Sequence, residues 1–384
     1  MKIVFFANKM PDLCGAFLHD IDLATELTRR GHQVTFLTIR VPRIGYGMGV
    51  YRGFKYAHFT AGASILETSQ VWICPHAPVL PDVRRLNARG YNRPIIATCH
   101  YDGNYTMITD GGHGANWAEM LCFINTIMET NYRKNISPWP SQIARIETIR
   151  PIMHRNQIEI TEPFQGDCIT LINANDNKGV KQFIELARRM PDRKFLGVRP
   201  YYGDMRTPLP LDGNIEWVPF SDDIRTILRR TRILLVPSFY ESFGRVAVEA
   251  MINGIPVLYS KSAKVSPYPG GSIEGMKSWI KDAAIQCDRD KPEEWMEAIQ
   301  SLDNPDTYSE WSVKSKEHIE GMDLFTEASR IAGLVESFAR DHPVVIVTPQ
   351  QAAQQKENQQ TASGLPKARP VAVGFSNGRL RIQR

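Results

Sequence analysis

Two glutamates stand at a fixed spacing in the segment ESFGRVAVEAMINGIP, with seven residues between Glu241 and Glu249. The segment follows the apolar run ILLVPS, which predicts a buried strand, and then continues with helical periodicity. Ser242 is predicted to cap this helix and Gly254 to end it. The first acid is therefore expected at the exit of a strand, and the second inside the helix that follows.

Between the two acids the backbone itself offers chemistry. The amides of Phe243, Gly244 and Arg245 are expected to point from the start of the helix, where they suit a phosphate. Gly244 has no side chain to keep a diphosphate away. A carboxylate does not favour an adjacent phosphate, but Glu249 lies far enough along the helix to accept hydrogen bonds from hydroxyls. With Glu241 on the other side, the pattern suits sugars flanking a diphosphate, as in a nucleotide sugar.

The elements that position these residues alternate between strand and helix. Residues 1–40 predict strand, helix and strand, and the helix buries Phe17, Ile21, Ala24 and Leu27 on one face. The runs SQVWICP and RPIIATCH predict further strands, whereas LCFINTI fits a strand or a helix. This alternation is typical of a parallel sheet with crossover helices.

Near residue 150 the same alternation starts again. CITLIN predicts a strand, and VKQFIELARRM predicts a helix with Val180, Phe183, Ile184 and Ala187 on one face. We therefore expect an α/β protein of two doubly wound, Rossmann-like domains. In such sheets ligands bind beyond the carboxyl ends of the strands, so two of them facing each other make a cleft.

Composition describes an ordinary globular chain of 384 residues, with 42% hydrophobic and 23% charged residues. Its six cysteines are scattered without a CxxC pair, which argues against a zinc ribbon and for a reducing compartment. No apolar run approaches the roughly 20 residues of a membrane span, and the first residues do not resemble a signal peptide. We expect a cytoplasmic protein.

The net charge of +5 is concentrated at one end of the chain. Six basic residues and one acid follow residue 343, so the preceding residues carry 40 of each sign. The segment QQAAQQKENQQTASG is too poor in apolar residues to offset the entropy of ordering, so we predict a disordered basic tail at 343–384. Such a tail favours weak, salt-sensitive contact with a polyanion or simply solubilises the chain.

Two common nucleotide motifs are missing. The first predicted strand is followed by NKMPDLCGAF and not by GxGxxG, and no GxxxxGK[ST] phosphate loop occurs. The second strand also lacks the acid that holds a ribose in dinucleotide-binding proteins. The sequence therefore does not favour nicotinamide chemistry.

The run PSFYESFGRVAVEAMINGIPV resembles the signature of retaining glycosyltransferases of the GT-B fold, in family 4 (group 1). The resemblance extends over most of residues 1–340. It includes the opening β-α-β unit and the segment NANDNKGVKQFIELARRM, with its pair Lys178 and Gly179. It implies transfer of a hexosyl or pentosyl group with retention of anomeric configuration, from a UDP- or GDP-linked sugar.

The resemblance also implies a role for each site residue. Glu241 would contact the transferred sugar, Glu249 the ribose, and Lys178 the leaving diphosphate, where other transferases use a metal. His100, at the end of strand RPIIATCH, would lie against the transferred sugar. The other donor-side residues that it implies are Gly15, Asn173, Pro219, Phe220, Ser242, Phe243, Gly244 and Arg245. No cofactor and no metal is implied, and no DxD-type carboxylate pair stands where it would bind a cation.

One position departs from the family pattern. The family usually carries an arginine five residues before the lysine, and this chain has Asn173 there. Asparagine donates a hydrogen bond but does not balance charge. Arg199 or Arg245 would supply the missing charge, or donor turnover is slow.

The predicted domains are an acceptor-side domain at 1–155 and a nucleotide-sugar domain at 156–325. A helix at 326–342 is predicted to pack back toward the first domain. Acceptor loops are expected near residues 8–20, 40–65 and 100–118, including a mobile glycine-rich loop at 108–117. They carry no diagnostic motif, so glycan, lipid, protein, small molecule and modified nucleic-acid base all stay open as acceptors.

Two other functions are compatible with the pattern. A sugar-nucleotide epimerase shares the two-domain architecture but needs acid and base groups for proton abstraction. A binding module would contact nucleic acid or an acidic partner through the basic tail, and the tail would equally help a transferase that acts on modified bases. Release of free nucleotide from a donor distinguishes a transferase from an epimerase.

Overall fold

The fold was analysed in a computed structural model of the chain. It describes residues 1–12, 14–40, 48–74, 79–101, 118–136, 139, 141–201, 203, 205–211, 213–261 and 273–344, and the backbone of 373–376 and 379–382. The predicted glycine-rich loop at 108–117, the parts of the acceptor loops at 41–47 and 102–107, and most of the predicted tail (345–372, 377–378 and 383–384) lie outside the described residues.

The first half of the chain forms an eight-stranded sheet in the order β3-β4-β2-β1-β5-β6-β7-β8. All neighbours are parallel except β3 and β4, which form an antiparallel hairpin at one edge. The strands are β1 Lys2–Ala7, β2 Gln33–Thr38, β3 Met48–Tyr51, β4 Phe54–His58, β5 Val71–Cys74, β6 Ile95–Cys99, β7 Met120–Phe123 and β8 Arg145–Thr148.

The helices of this half are α1 Gly15–Arg29, α2 Ala63–Thr68, α3 Leu80–Asn87, α4 Thr126–Asn135 and α5 Arg155–Ile158. The predicted apolar face of α1 is confirmed, since Phe17, Ile21, Ala24 and Leu27 are all buried. The ambiguous run LCFINTI contains both kinds of element. Strand β7 ends within it, and α4 begins after Asn125, whose side chain caps the helix by accepting a bond from the Met128 amide.

The second half forms a parallel six-stranded sheet in the order β11-β10-β9-β12-β13-β14. Its strands are β9 Cys168–Leu171, β10 Lys194–Val198, β11 Ile215–Val218, β12 Thr231–Val236, β13 Val257–Ser260 and β14 Ile285–Cys287. Its helices are α6 Val180–Arg189, α7 Arg225–Leu228, α8 Arg245–Met251, α9 Glu274–Ile280, α10 Pro292–Ser301 and α11 Pro305–Glu320. The order turns outward in both directions from β9 and β12, which creates a switch point between them.

The last long helix, α12 Glu327–Asp341, returns to the first half and packs on α1. Glu336 on α12 accepts a bond from Arg30 at 3.0 Å and lies 2.9 Å from the ring of His32. Arg330 also donates to the carbonyl of Thr148 at 3.0 Å, at the end of β8. The first strand and the last long helix thus belong to the same half.

One of the buried hydrophobic clusters extends through both halves. The largest buried cluster contains Phe5 and Trp72 of the first sheet together with Met251 and Trp279 of the second half. The predicted fold class, two doubly wound α/β units, is confirmed. None of the described helices is both long and apolar enough to cross a membrane. In the terminal segment the structure describes two short antiparallel strands, β15 Val373–Ser376 and β16 Arg379–Ile382.

Candidate functional site in the cleft

A cavity of about 450 Å³ lies where the carboxyl ends of the two sheets face each other. The predicted site residues that line it are Gly15, His100, Asn173, Lys178, Phe220, Glu241, Ser242, Phe243, Gly244, Arg245 and Glu249. Pro219 is exposed and does not belong to the lining, although its neighbour Phe220 does. Positions far apart in the sequence therefore converge because parallel strands end at one edge of each sheet.

Lys178 and Glu241 form a close ion pair at one wall of the cavity. Lys178 Nζ lies 2.6 Å from Glu241 Oε1, and the side chains are only 17% and 6% exposed. The hydroxyl of Ser238 donates to the same carboxylate oxygen at 2.8 Å. The turn before α6 delivers the lysine: Gly179 is left-handed, and a Cβ there would lie 2.3 Å from the carbonyl oxygen of Pro237. Only glycine allows this approach.

The loop between the two glutamates differs from its predicted form. Ser242 does not cap α8; Gly244 precedes the helix, with φ at +79°. The reason is local backbone geometry, since the left-handed turn at Gly244 delays the helix, which then runs for seven residues, to Met251. Gly254 adopts φ of +66° just beyond the helix, in keeping with its predicted role as the stop.

Arg245 is engaged on three sides at the floor of the cleft. Its guanidinium donates to the carbonyl of Ile152 at 2.7 Å and lies 3.7 Å from Asp22 and 3.6 Å from Glu249. Burial raises the pKa of both the Glu249 and the Asp22 carboxyls, and the charge of Arg245 opposes that rise. Arg245 thus compensates two buried acids. Arg199, the other predicted source of charge, does not line the cavity.

Asn173 is held in an unusual conformation at the end of β9. Its φ is +59°, a left-handed value that asparagine tolerates better than most residues. The side chain is 8% exposed, and neither its oxygen nor its nitrogen has a hydrogen-bond partner within the described part of the protein. A buried amide that lines a cavity in this state is suited to contact a ligand.

Sequence reasoning missed two groups of charged residues in the cleft. Asp22, in the polar stretch HDID of α1, forms the partner of Arg245. Arg52, at the tip of the β3–β4 hairpin, lines the cavity and lies 4.0 Å from Asp222 of the other half. Two features of the sequence could have indicated them. Asp22 is one of two acids within an otherwise apolar helix face, and Arg52 is a cation next to a hairpin glycine, Gly53.

Three polar side chains meet beside the cavity in a group that resembles a metal site. Ligand atoms of His19, Asp20 and His100 lie within 4.8 Å of one another, and the two histidine rings are 5.2 Å apart. However, the amide of Ile152 donates to His19 Nδ1 at 3.0 Å, so the proton of the neutral imidazole belongs on Nε2. That nitrogen then offers a hydrogen and no lone pair.

The charges of this group also disfavour a cation. Burial, helped by the charge of Arg245, lowers the pKa of His19 to about 3. Burial and the nearby Asp22 raise the pKa of Asp20 well above its ordinary value. His19 is therefore neutral near pH 7, and burial favours the protonated carboxyl of Asp20, whereas a metal needs a deprotonated carboxylate and a free imidazole lone pair. These residues do not fit a metal ion as they stand.

Comparison with known proteins agrees with this architecture. Residues 168–316 match a family model described as glycosyl transferases, group 1. The matched segment runs from β9 into α11 and includes Lys178, Glu241 and Glu249. The resemblance to this family is thereby confirmed for the second half.

Two curated proteins are similar in sequence to part of this chain. The D-inositol 3-phosphate glycosyltransferase of Corynebacterium kroppenstedtii is 28% identical over 127 residues, which are 32% of this chain and 26% of the relative. That of Corynebacterium glutamicum is 29% identical over 113 residues, 29% of this chain and 25% of the relative. The match thus spans about a quarter of the length of these relatives.

Solved structures extend the likeness to both halves. Anabaena Alr3699/HepE, in complex with UDP and glucose, superposes with a TM-score of 0.64 at 15% identity, over 88% of this chain and all of that one. The sucrose-phosphate synthase of Thermosynechococcus elongatus gives 0.62 at 14% identity, over 88% and 98%. At these identities the likeness establishes the fold, so the predicted GT-B architecture is confirmed.

Proposed function

We propose that the protein is a glycosyltransferase that moves a hexosyl or pentosyl group from a nucleotide diphosphate sugar to an acceptor hydroxyl. The observation that carries this proposal is the convergence of Lys178, Glu241 and the loop 242–244 on one cavity, within the segment that matches group 1 glycosyltransferases. A neighbour of the same fold holds UDP and glucose, which supports a UDP-linked donor in particular.

In this proposal each side of the cavity receives one part of the donor. The diphosphate meets Lys178 and the amides of the loop 242–244, which stabilise the charge that develops as it leaves. Glu241 faces the sugar, with His100 opposite it on the first half. Glu249 accepts hydrogen bonds from the ribose, and Asn173 offers an amide to the diphosphate where arginine is usual.

The proposed reaction retains the donor's anomeric configuration and needs no metal. The acceptor hydroxyl attacks from the face that the diphosphate leaves, and the leaving phosphate oxygen takes its proton. The bond from the anomeric carbon to the diphosphate breaks, and the bond to the acceptor oxygen forms. Lys178 supplies the positive charge for the departing diphosphate, the service that a divalent cation performs in other transferases.

The test is a donor screen followed by product analysis. The purified protein is incubated with UDP- and GDP-sugars, with and without EDTA, and with pooled acceptors, while free nucleotide release is measured. We expect release from one donor class, unchanged by EDTA, and a first-formed product that keeps the donor's configuration by proton NMR. Interconversion of donors without release would indicate an epimerase, and an inverted product or strict dependence on Mn²⁺ would contradict the mechanism.

A further inference from the structure

Two consecutive carbonyl groups of the loop 242–244 are each held by one side chain. The side-chain amide of Asn125 donates to the carbonyl of Ser242 at 2.7 Å. The indole nitrogen of Trp279 donates to the carbonyl of Phe243, also at 2.7 Å. Neither Asn125 nor Trp279 lines the cavity, whereas all three loop residues do. Both side chains therefore hold the loop from behind.

Peptide geometry converts this anchoring into an orientation of the amides. In a planar trans peptide the C=O and N–H bonds point in opposite directions. A Ser242 carbonyl drawn toward Asn125 turns the Phe243 amide the other way, and a Phe243 carbonyl drawn toward Trp279 does the same for the Gly244 amide. Since the anchors lie behind the loop, the two amides are directed toward the cavity.

The loop is also packed closely on the side of these two anchors. A Cβ on Gly275 of α9 would lie 2.1 Å from the Ser242 oxygen, so backbone presses directly against the held carbonyl. The ring of Phe243 stacks on Trp279, with centroids 5.3 Å apart. Asn125 in turn is fixed by its second bond, in which Oδ1 accepts from the Met128 amide at 2.7 Å. The side chain of Asn125 is thus held at both ends.

We propose that Asn125 and Trp279 are positioning residues that aim the Phe243 and Gly244 amides at the donor's diphosphate. Asn125 belongs to the first half, at the start of α4, and the loop belongs to the second. The acceptor-side half therefore completes the anion-holding part of the donor site. This inference rests on the proposed function, because it assigns the diphosphate to this loop.

The first test removes the hydrogen-bond donor of Asn125 and keeps its capping of α4. Asn125→Ser preserves an oxygen that caps α4, since serine is an equally good cap, but it loses the amide N–H that holds Ser242 and adds no charge near the diphosphate. We expect UDP affinity by calorimetry to fall about tenfold, the loss typical of one hydrogen bond to a charged group. UMP, which lacks the second phosphate, should lose less than UDP.

A matched control separates this effect from general capping. Asn304 caps α11 in the same way, by accepting bonds from the amides of Asp306 and Thr307, and it does not line the cavity. Asn304→Ser should leave the affinities for UDP and UMP unchanged. Thermal melts of both variants report any loss of folding, which a purely structural role of Asn125 would show without the difference between UDP and UMP.

The second test acts on the other anchor. Trp279→Phe keeps an aromatic ring against Phe243 but removes the indole N–H. Trp295→Phe is its control, because Trp295 also donates to a carbonyl, that of Asp288 at 2.8 Å, and lies away from the cavity. We expect Trp279→Phe to lower the affinity for UDP severalfold more than the affinity for UMP. Trp295→Phe should change neither affinity.

The outcomes distinguish this inference from the proposed function. If the wild-type protein binds neither UDP nor GDP, the proposed function fails. If it binds UDP and both Asn125→Ser and Trp279→Phe bind UDP and UMP as tightly as wild type, the positioning role fails alone. Equal losses for UDP and UMP would also overturn it, since the amides would then not act on the diphosphate.

Discussion

The ion pair between Lys178 and Glu241 makes a quantitative prediction about stability. Lys178→Met leaves the Glu241 carboxylate at 6% exposure with one hydrogen bond, from Ser238. Removing one partner of a buried pair costs about 3–5 kcal/mol, and we expect the lower end because Lys178 is 17% exposed. Glu241→Gln keeps an oxygen that accepts from Ser238, and the charge that it leaves unpaired is that of the more exposed Lys178. We therefore expect a loss of about 1–2 kcal/mol in the free energy of unfolding.

The double variant tests the coupling directly. Once both charges are gone, no uncompensated ion remains, so the pair of substitutions should cost less than the sum of the single ones by about 2–3 kcal/mol. Urea unfolding followed by tryptophan fluorescence measures all four proteins, since urea does not screen charge. Lys194→Met is the control, because Lys194 pairs with Asp167 at an exposed site and should cost under about 1 kcal/mol. Additive effects of the two cleft substitutions would refute the reasoning.

The same pair predicts an unequal response to nucleotide. A diphosphate must compete with Glu241 for Lys178, because the ammonium lies 2.6 Å from that carboxylate. Glu241→Gln should therefore bind UDP at least as tightly as wild type while its kcat falls, because the contact to the sugar is altered. Lys178→Met should bind UDP more weakly. A loss of UDP affinity in Glu241→Gln as large as that in Lys178→Met would place the diphosphate elsewhere.

Three further predictions concern single positions. Burial raises the pKa of Glu249, so ionising this carboxyl costs stability as pH rises above about 4.5; Glu249→Gln should melt higher than wild type at pH 7 yet bind UDP about tenfold more weakly. The pKa of His19 falls to about 3 on folding, so its contribution to stability should drop by about 2 kcal/mol between pH 7 and pH 5; in urea titrations the wild type should lose that much relative to His19→Asn. Gly179→Ala should lose at least about 2 kcal/mol, because φ is +83° and the new Cβ meets the Pro237 carbonyl; an unchanged melting temperature would contradict this.

Periodicity and spacing were sufficient to predict the two sheets and most of the cleft. The apolar face of α1 and the strand before Glu241 followed from local sequence, because burial imposes a period that the sequence displays. The convergence of His100 with Glu241 followed from a general rule, that parallel strands present their carboxyl ends together. Neither required knowledge of a side-chain contact.

The parts that could not be predicted depend on contacts between distant segments. Nothing near Ser242 indicates that its carbonyl is held by Asn125, 117 residues earlier in the chain. The partnership of Arg245 with Asp22 likewise joins the two halves across 223 positions of sequence. The cap was misplaced because serine before Phe-Gly favours a cap locally, whereas the left-handed backbone at Gly244 decides where the helix begins.

The return of α12 to the first half has a consequence for how the protein can be divided. In topological terms, the second half is inserted into the first. The chain enters the second half after β8 and leaves it before α12. The halves are therefore joined by two chain connections and not by one. Relative movement of the halves is then restricted to rotation about an axis through the two connections. A fragment cut at residue 155 would leave α1 without α12, and so would expose the surface that Ile331, Val335 and Phe338 help to bury.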